Sequence, residues 1–272
     1  MKKEIILNKL ILQTFNLLKS NTVLIMPLLL FLLLLVTILA PLGGVNIFIM
    51  LAILAMKSVF VAGWFNMFHV CIKNNTNDNL SDDEKVLNSL GLYKEFFPGV
   101  GMHFRKIFLG MLIYVLAINL AESLIFHFFA NFESFSIPDF MTAMHNASSN
   151  SDIVKYWESV TPVDKITIYK LAIIDMSFIL LFSYLTMFWA LFVVVEEKSV
   201  LKSFRESVRV VFNDPLNTFA VFASAIFAFI CILGLNLLLG SNAIGQLLFL
   251  VLTTYAVVYF IMMTFLYFER YR

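Results

Sequence analysis

Ionisable side chains inside long apolar runs are the residues of this chain best placed to do chemistry. Four occur: Lys57, Glu122, Lys170 and Asp175. An unpaired charge at bilayer mid-depth costs at least ~2.5–3.5 kcal/mol, so such a group either finds a counter-charge or serves an ion or proton path. Lys57 stands ~16 Å of helix from the outer end of its run, near the midplane. Glu122 shares one helix side with Asn119, Ser123 and His127, within an arc of roughly 140° at 100° per residue. Asp175 lies in the outer part of the next run, where Ser183 and Thr186 also mark a polar side, and Lys170 is close enough to the surface to snorkel. Lys57 is expected to pair with Glu122 or Asp175. One reading is a polar cavity that opens outward and binds a headgroup, an ion or a proton. The other is a buried salt bridge with a hydrogen-bonded stripe, which fixes helix packing.

The elements that would position these groups follow from composition. The chain has 272 residues, of which 61% are hydrophobic and 14% charged, against ~45–50% and ~25% for soluble domains. The apolar residues fall in runs long enough to cross a bilayer as helix, at about 22–42, 46–72, 107–130, 166–195, 216–239 and 243–268. The expected fold is therefore all-α: one membrane domain over 1–272, an integral bundle of six transmembrane helices with amphipathic helices on the cytoplasmic side. The outer loop is 131–165, and the inner loops are 73–106 and 196–215. The first run is too long for a signal-peptide core and is expected to be a retained span.

Charge placement orients the bundle. Fifteen Lys and Arg fall before the first run, after the last, or between runs two and three and runs four and five, while the alternate side has only Lys155 and Lys165. The positive-inside rule then puts both termini in the cytoplasm of a multi-pass cell-membrane protein. Within that basic side, residues 2–20 mix Lys2, Lys3 and Lys9 with apolar Ile6, Leu10, Phe15 and Leu18, which suits a helix lying among headgroups. Residues 199–212 repeat the character: Leu201, Phe204, Val208 and Val211 share a face, while Lys202, Arg205 and Arg209, with Lys198 just before them, supply charge. Residues 92–106 are the third such segment, so the chain reads as three rounds of a basic amphipathic segment followed by a helical hairpin.

Local signals mark the helix ends. Ser81-Asp82-Asp83-Glu84 and Thr161-Pro162-Val163-Asp164 are capping boxes, Ser136 to Asp139 and Ser151-Asp152 are helix starts, and Asn213-Asp214-Pro215 starts the fifth span. Ser20 or Asn21 can cap the first span, and Pro27 should bend or delay its start. Pro41 to Gly44 and Gly240-Ser241-Asn242 are outer turns. Ala220, Ser224, Ala228, Cys231 and Gly234 form a small-residue stripe that lets a neighbouring backbone approach, within the monomer or in a dimer. The sequon Asn146-Ala147-Ser148 lies on the outer side.

The stretch FVVVEEKSVLKSFRESVRVVFNDPLNTF, Phe192 to Phe219, resembles a pattern in bacterial polytopic membrane proteins, including those with a glycerophosphodiester phosphodiesterase membrane domain. In that pattern a span ends in an acidic-glycine turn, a short amphipathic helix with a mid-helix serine follows, and an asparagine precedes the next span. Ser207 and Asn213 occupy those places. The turn departs from it, with Glu197-Lys198 where a glycine is expected. The resemblance covers about 185–235 and implies a helical membrane module. No phosphodiesterase catalytic domain is present, so that activity is not implied.

Other chemistries find little support. There is no HExxH, Walker loop, GxSxG or GxGxxG motif, and His69, His103 and His145 have no ligand partner at helical spacing, so no cofactor or metal is expected. A net charge of +1 without a long basic run argues against a nucleic-acid surface. The function expected is a non-enzymatic module that organises membrane lipids or a membrane or cytoplasmic protein partner. The alternative is a small transporter or permease subunit using Lys57, Glu122 and Asp175.

Overall fold

In the computed structural model, which describes residues 7–39, 47–74, 89–132, 155, 157–239 and 242–271, every regular element is helical. Helix α1 is Leu7–Ser20, and a 3-10 turn Thr22–Ile25 leads into α2, Met26–Leu39. Next come α3, Ile47–Asn74, and a 3-10 turn Leu92–Glu95 that runs into α4, Phe96–Phe132. They are followed by α5, Pro162–Thr186, and α6, Trp189–Val194. The last three are α7, Val200–Asn213, α8, Pro215–Leu239, and α9, Ala243–Tyr271. Five helical stretches are long and apolar enough to cross a membrane: Ile47–Asn74, Ser89–Phe128, Pro162–Val194, Pro215–Leu238 and Ile244–Tyr271. A sixth is added if Leu7–Ser20 and Thr22–Leu35, bent by 89°, make one span. Lys2, Lys3, the turn Pro41 to Gly44, the capping box Ser81 to Glu84, the helix starts near 136 and 151 and the sequon at Asn146 lie outside the described residues.

The chain divides into two compact units, Met1–Met111 with Tyr184–Arg272, and Leu112–Ser183. The core of the first unit is aromatic and is built from α1, α3, α6 and the C-terminal half of α9. Leu10 and Leu18 of α1 meet Trp64, Phe68, Phe188 and Phe265 in one buried cluster, with Phe68 stacked on Phe265 at 5.6 Å and Phe192 edge-on to Phe268 at 4.8 Å. By contrast, Leu30 and Leu33 of α2, Phe48 of α3, Leu237 of α8 and Ile244 of α9 are exposed. The unit is thus tightly packed where its short basic helices gather, and bare and apolar toward its hairpin turns. Large exposed apolar surface of this kind is foreign to a water-facing monomer.

Polar side chains pin the elements at their breaks. The right-angle turn after α1 is held by Asn21, whose Nδ2 donates to Leu17 O at 3.0 Å. Asn21 thus satisfies a carbonyl at the end of α1 and makes no side-chain cap for the turn that follows, since its reach is to the helix behind it. Trp64 Nε1 donates to Leu24 O at 2.8 Å and ties that turn to α3. Tyr259 OH donates to Ile11 O at 3.1 Å and ties α1 to α9. Glycines set two close approaches. A Cβ on Gly99 would stand 2.4 Å from Asn66 Cβ, and one on Gly110 would stand 2.2 Å from the Trp189 ring.

The basic segment at 92–106 does not form a separate surface helix. It runs through the 3-10 turn directly into α4, whose 37 residues continue without a break for about 55 Å at 1.5 Å per residue. Pro98 sits in the first turn of α4, where its missing N–H costs nothing. The three-round plan is therefore clear only at α1 and α7.

In the second unit Thr161 and Asp164 form the capping box the sequence spells. Asp164 N–H donates to Thr161 Oγ1 at 3.2 Å, and Thr161 Oγ1 donates to Asp164 Oδ2 at 2.7 Å. Tyr114 of α4 and Ser183 of α5 share a hydrogen bond of 2.9 Å beside the Tyr114–Phe182 ring contact.

Candidate functional site

The structure places the polar residues of the long apolar helices as follows. Lys57 is exposed on α3 in the first unit. Glu122 is half-buried, and Asn119, Ser123 and His127 are exposed, on the α4 segment of the second unit. Asn119 spends its amide on its own helix, donating to Val115 O at 2.8 Å. Asp175 is half-buried on α5, and its Oδ1 is a buried acceptor without a hydrogen-bond partner among the described residues. Of the small-residue stripe on α8, Ala220, Ser224 and Ala228 are half-buried, while Cys231 and Gly234 are exposed and a Cβ on Gly234 would meet open space.

Polar side chains converge instead at the junction of α6, α7 and the end of α9, all within the first unit. The long helix begun by α5 breaks after Thr186 and resumes at Trp189. A break of this kind frees backbone groups that must be satisfied if buried. Ser207, mid-way along α7 and 0% exposed, satisfies both sides: its Oγ donates to Leu185 O at 2.9 Å and accepts from Phe188 N–H at 3.1 Å. Farther along, α6 ends in a turn where Glu197 takes φ +52°, the left-handed region, at the position where a glycine is expected. Lys198 N–H closes that turn onto Phe192 O at 3.1 Å, and Lys106 Nζ of α4 donates to Glu197 O at 2.6 Å.

Helix α7 carries three faces. Val200, Ser203, Ser207, Val210 and Val211 are buried against the unit. Leu201, Phe204, Val208 and Phe212 form an apolar strip within about 80° of arc, whose inner edge, Phe204, stacks on Trp189 at 5.0 Å. Its ends, Leu201 and Phe212, are 72% and 70% exposed. Lys202, Arg205 and Arg209 follow at about 90° beyond it, and all three are exposed. The inward stripe is therefore shifted from the apolar spacing and passes through two serines, because the partner is a broken helix with polar groups to fill. On α1 the same division recurs, with Leu10, Thr14 and Leu18 buried and Lys9, Lys19, Ile11, Leu12 and Phe15 exposed.

Below this junction lies a buried polar knot. Tyr267, 0% exposed, donates to Asp214 Oδ2 at 2.8 Å, and Asn217 Nδ2 donates to both Asp214 oxygens at 3.0 and 3.1 Å. Tyr184 OH reaches Thr218 Oγ1 at 2.9 Å and Pro215 O at 3.1 Å. Beside the knot a cleft of about 340 Å³ opens between α6, α7 and the end of α9. Its polar wall is Glu196, Lys198, Glu206, Arg209, Asn213 and Tyr271. Lys198 Nζ pairs with Glu196 Oε2 at 2.6 Å and sits 4.4 Å above the Phe192 ring centre. Asn213 Nδ2 donates to Tyr271 OH at 3.1 Å. Glu206 and Arg209 make no hydrogen bond or ion pair with another described residue.

Among the described residues no three His, Cys, Asp or Glu side chains come together as a ligand set. No family model, curated protein or solved structure matches the chain.

Proposed function

We propose that the chain is a multi-pass protein of the cytoplasmic membrane, both termini inside, that acts as a non-enzymatic module organising lipid or partner proteins at the inner surface. The observation that carries this reading is the three-sided character of α7. A helix resting in the headgroup layer needs one face on the protein, one in acyl chain and one among phosphates and water. The buried Val-Ser stripe, the exposed Leu201–Phe212 strip and the basic Lys202, Arg205 and Arg209 match those needs in order. Helix α1, meeting the next arm at 89° with Lys9 and Lys19 exposed, supports the same placement. Thr22–Leu39 is then the first of six crossings. The bias of Lys and Arg assigns this side to the cytoplasm, and the resemblance at Ser207 and Asn213 adds that such modules occur in bacterial membranes.

Cysteine labelling tests it. In a background with Cys71 and Cys231 replaced by serine, a cysteine at Arg205 should react with an impermeant maleimide only after cells are permeabilised. Labelling from outside intact cells would overturn the orientation and the function built on it.

The second reading, a small transporter or permease subunit, draws on Asp175, whose buried Oδ1 has no hydrogen-bond partner among the described residues. A carboxylate left so in lipid is costly unless an ion, a proton or a counter-charge meets it. Asp175→Cys separates the readings. Reaction with a hydrophilic thiol reagent in reconstituted vesicles favours a solvent-reached path, and protection favours the module.

A further inference from the structure

The cleft between α6, α7 and α9 carries two pairs of opposite charge, and they differ in state. Lys198 and Glu196 neutralise each other at 2.6 Å. Glu206 and Arg209 also line the cleft, three residues apart on α7, yet neither is bonded to the other or to another described residue. Residues at this spacing have Cβ atoms about 5–6 Å apart on one helix face. The site thus offers an acceptor and a donor of full charge side by side, with an apolar floor that includes Phe192 and Phe268.

We propose that this cleft binds ethanolamine phosphate as the headgroup of a membrane phospholipid, Glu206 receiving the ammonium and Arg209 the phosphate. The inference rests on the interfacial placement of α7 and names the lipid that placement would recognise. A primary ammonium brings three donors to a carboxylate, and a guanidinium presents a planar fork that grips phosphate oxygens in pairs. The two-carbon tether between ammonium and phosphate is of the same order as the spacing of the two side chains. Other headgroups fit less well. A trimethylammonium group has no N–H and cannot donate to Glu206. A headgroup with phosphate and no ammonium would bring its charge against Glu206, a like-charge contact that discriminates against it.

The test uses the full chain in mild detergent, delipidated and offered an equimolar mixture of phosphatidylethanolamine, phosphatidylcholine and phosphatidylglycerol with matched acyl chains. Native mass spectrometry reads the bound species. Phosphatidylethanolamine should be retained preferentially. Glu206→Gln and Arg209→Gln should each weaken its retention about tenfold or more, the scale of one lost charge-assisted hydrogen bond. Helicity and elution volume should stay unchanged, and Lys94→Gln should keep the preference. Soluble phosphoethanolamine added at millimolar concentration distinguishes the source. Lipid retention that it does not displace assigns the lipid headgroup, whereas binding of the soluble ester without lipid retention overturns the lipid assignment. Equal retention of phosphatidylcholine, or a preference that survives both variants, overturns the site. The maleimide experiment at position 205 reports independently on the inner-side placement of α7, so a lost preference with unchanged labelling indicts the cleft alone.

Discussion

Ser207 Oγ accepts the backbone N–H of Phe188 at 3.1 Å, across a break in the helix that α7 packs against. With its bond to Leu185 O at 2.9 Å, one hydroxyl stands in for the missing helical bond. Ser207→Ala should therefore lower stability by about 1–3 kcal/mol, the cost of leaving buried backbone groups unpaired. Amide hydrogen exchange at Phe188 should quicken in parallel. Wild-type melting and exchange in the variant would remove the bridging role.

Two glycines of α4 should respond in opposite senses. Gly110 lies so close to Trp189 that an added methyl must displace the indole, so Gly110→Ala should cost about 1–3 kcal/mol as an overpacked contact does. Gly101 faces open space, so Gly101→Ala should be neutral or stabilising by up to about 1 kcal/mol, the helix-propensity difference. Thermal melts of both variants in one detergent read the contrast, and equal shifts would deny the close approach.

The left-handed turn at Glu197 calls for the residue it lacks. A side chain there carries a steric cost of about 1–2 kcal/mol that glycine does not. The bond from Lys106 goes to the backbone carbonyl and survives substitution. Glu197→Gly should therefore be more stable than Glu197→Ala by about 1 kcal/mol in paired denaturation curves. The reverse order would show that the Glu197 backbone is not held left-handed.

Tyr267 and Tyr184 bond to the same polar knot from different depths. Removing the buried Tyr267 hydroxyl takes one donor from Asp214, so Tyr267→Phe should cost about 1.5–3 kcal/mol, the range for a bond to a charged group. Tyr184 OH is bonded to the Pro215 carbonyl and Thr218, and Tyr184→Phe should cost less, about 0.5–1.5 kcal/mol. Comparable losses in chemical denaturation would mean that Asp214 is not the centre of the knot.

Much of the helical layout was legible because its signals are local. Apolar runs mark the long helices, Thr161 and Asp164 announce a helix start through atoms three residues apart, and Asp214-Pro215 does the same for α8. The candidate site was legible only in part. Ser207 and Asn213 stood out by their places within a pattern, and Lys202, Arg205 and Arg209 by their charge. Nothing in the spacing said that α7 would turn its serines inward. The apolar positions Leu201, Phe204, Val208 and Val211 are the stronger periodic signal, yet that face is split: Val211 is buried and Phe204 stacks on Trp189, while Leu201 is exposed. Asn21 was equally ambiguous, since one amide between two helices can serve either.

Hydropathy, read along the chain, was enough to anticipate an all-helical fold with six runs fit for a bilayer, and the described residues hold five such helices, or six if the bent pair is one span. That property belongs to a residue and its near neighbours. Only the tertiary structure decided that α4 runs unbroken from Phe96, that Ser207 fills the gap at Phe188, and that Glu206 and Arg209 share a cleft with the end of α9. The last two relations join residues 19 or more positions apart, and helical periodicity specifies a face without naming the neighbour that face will meet.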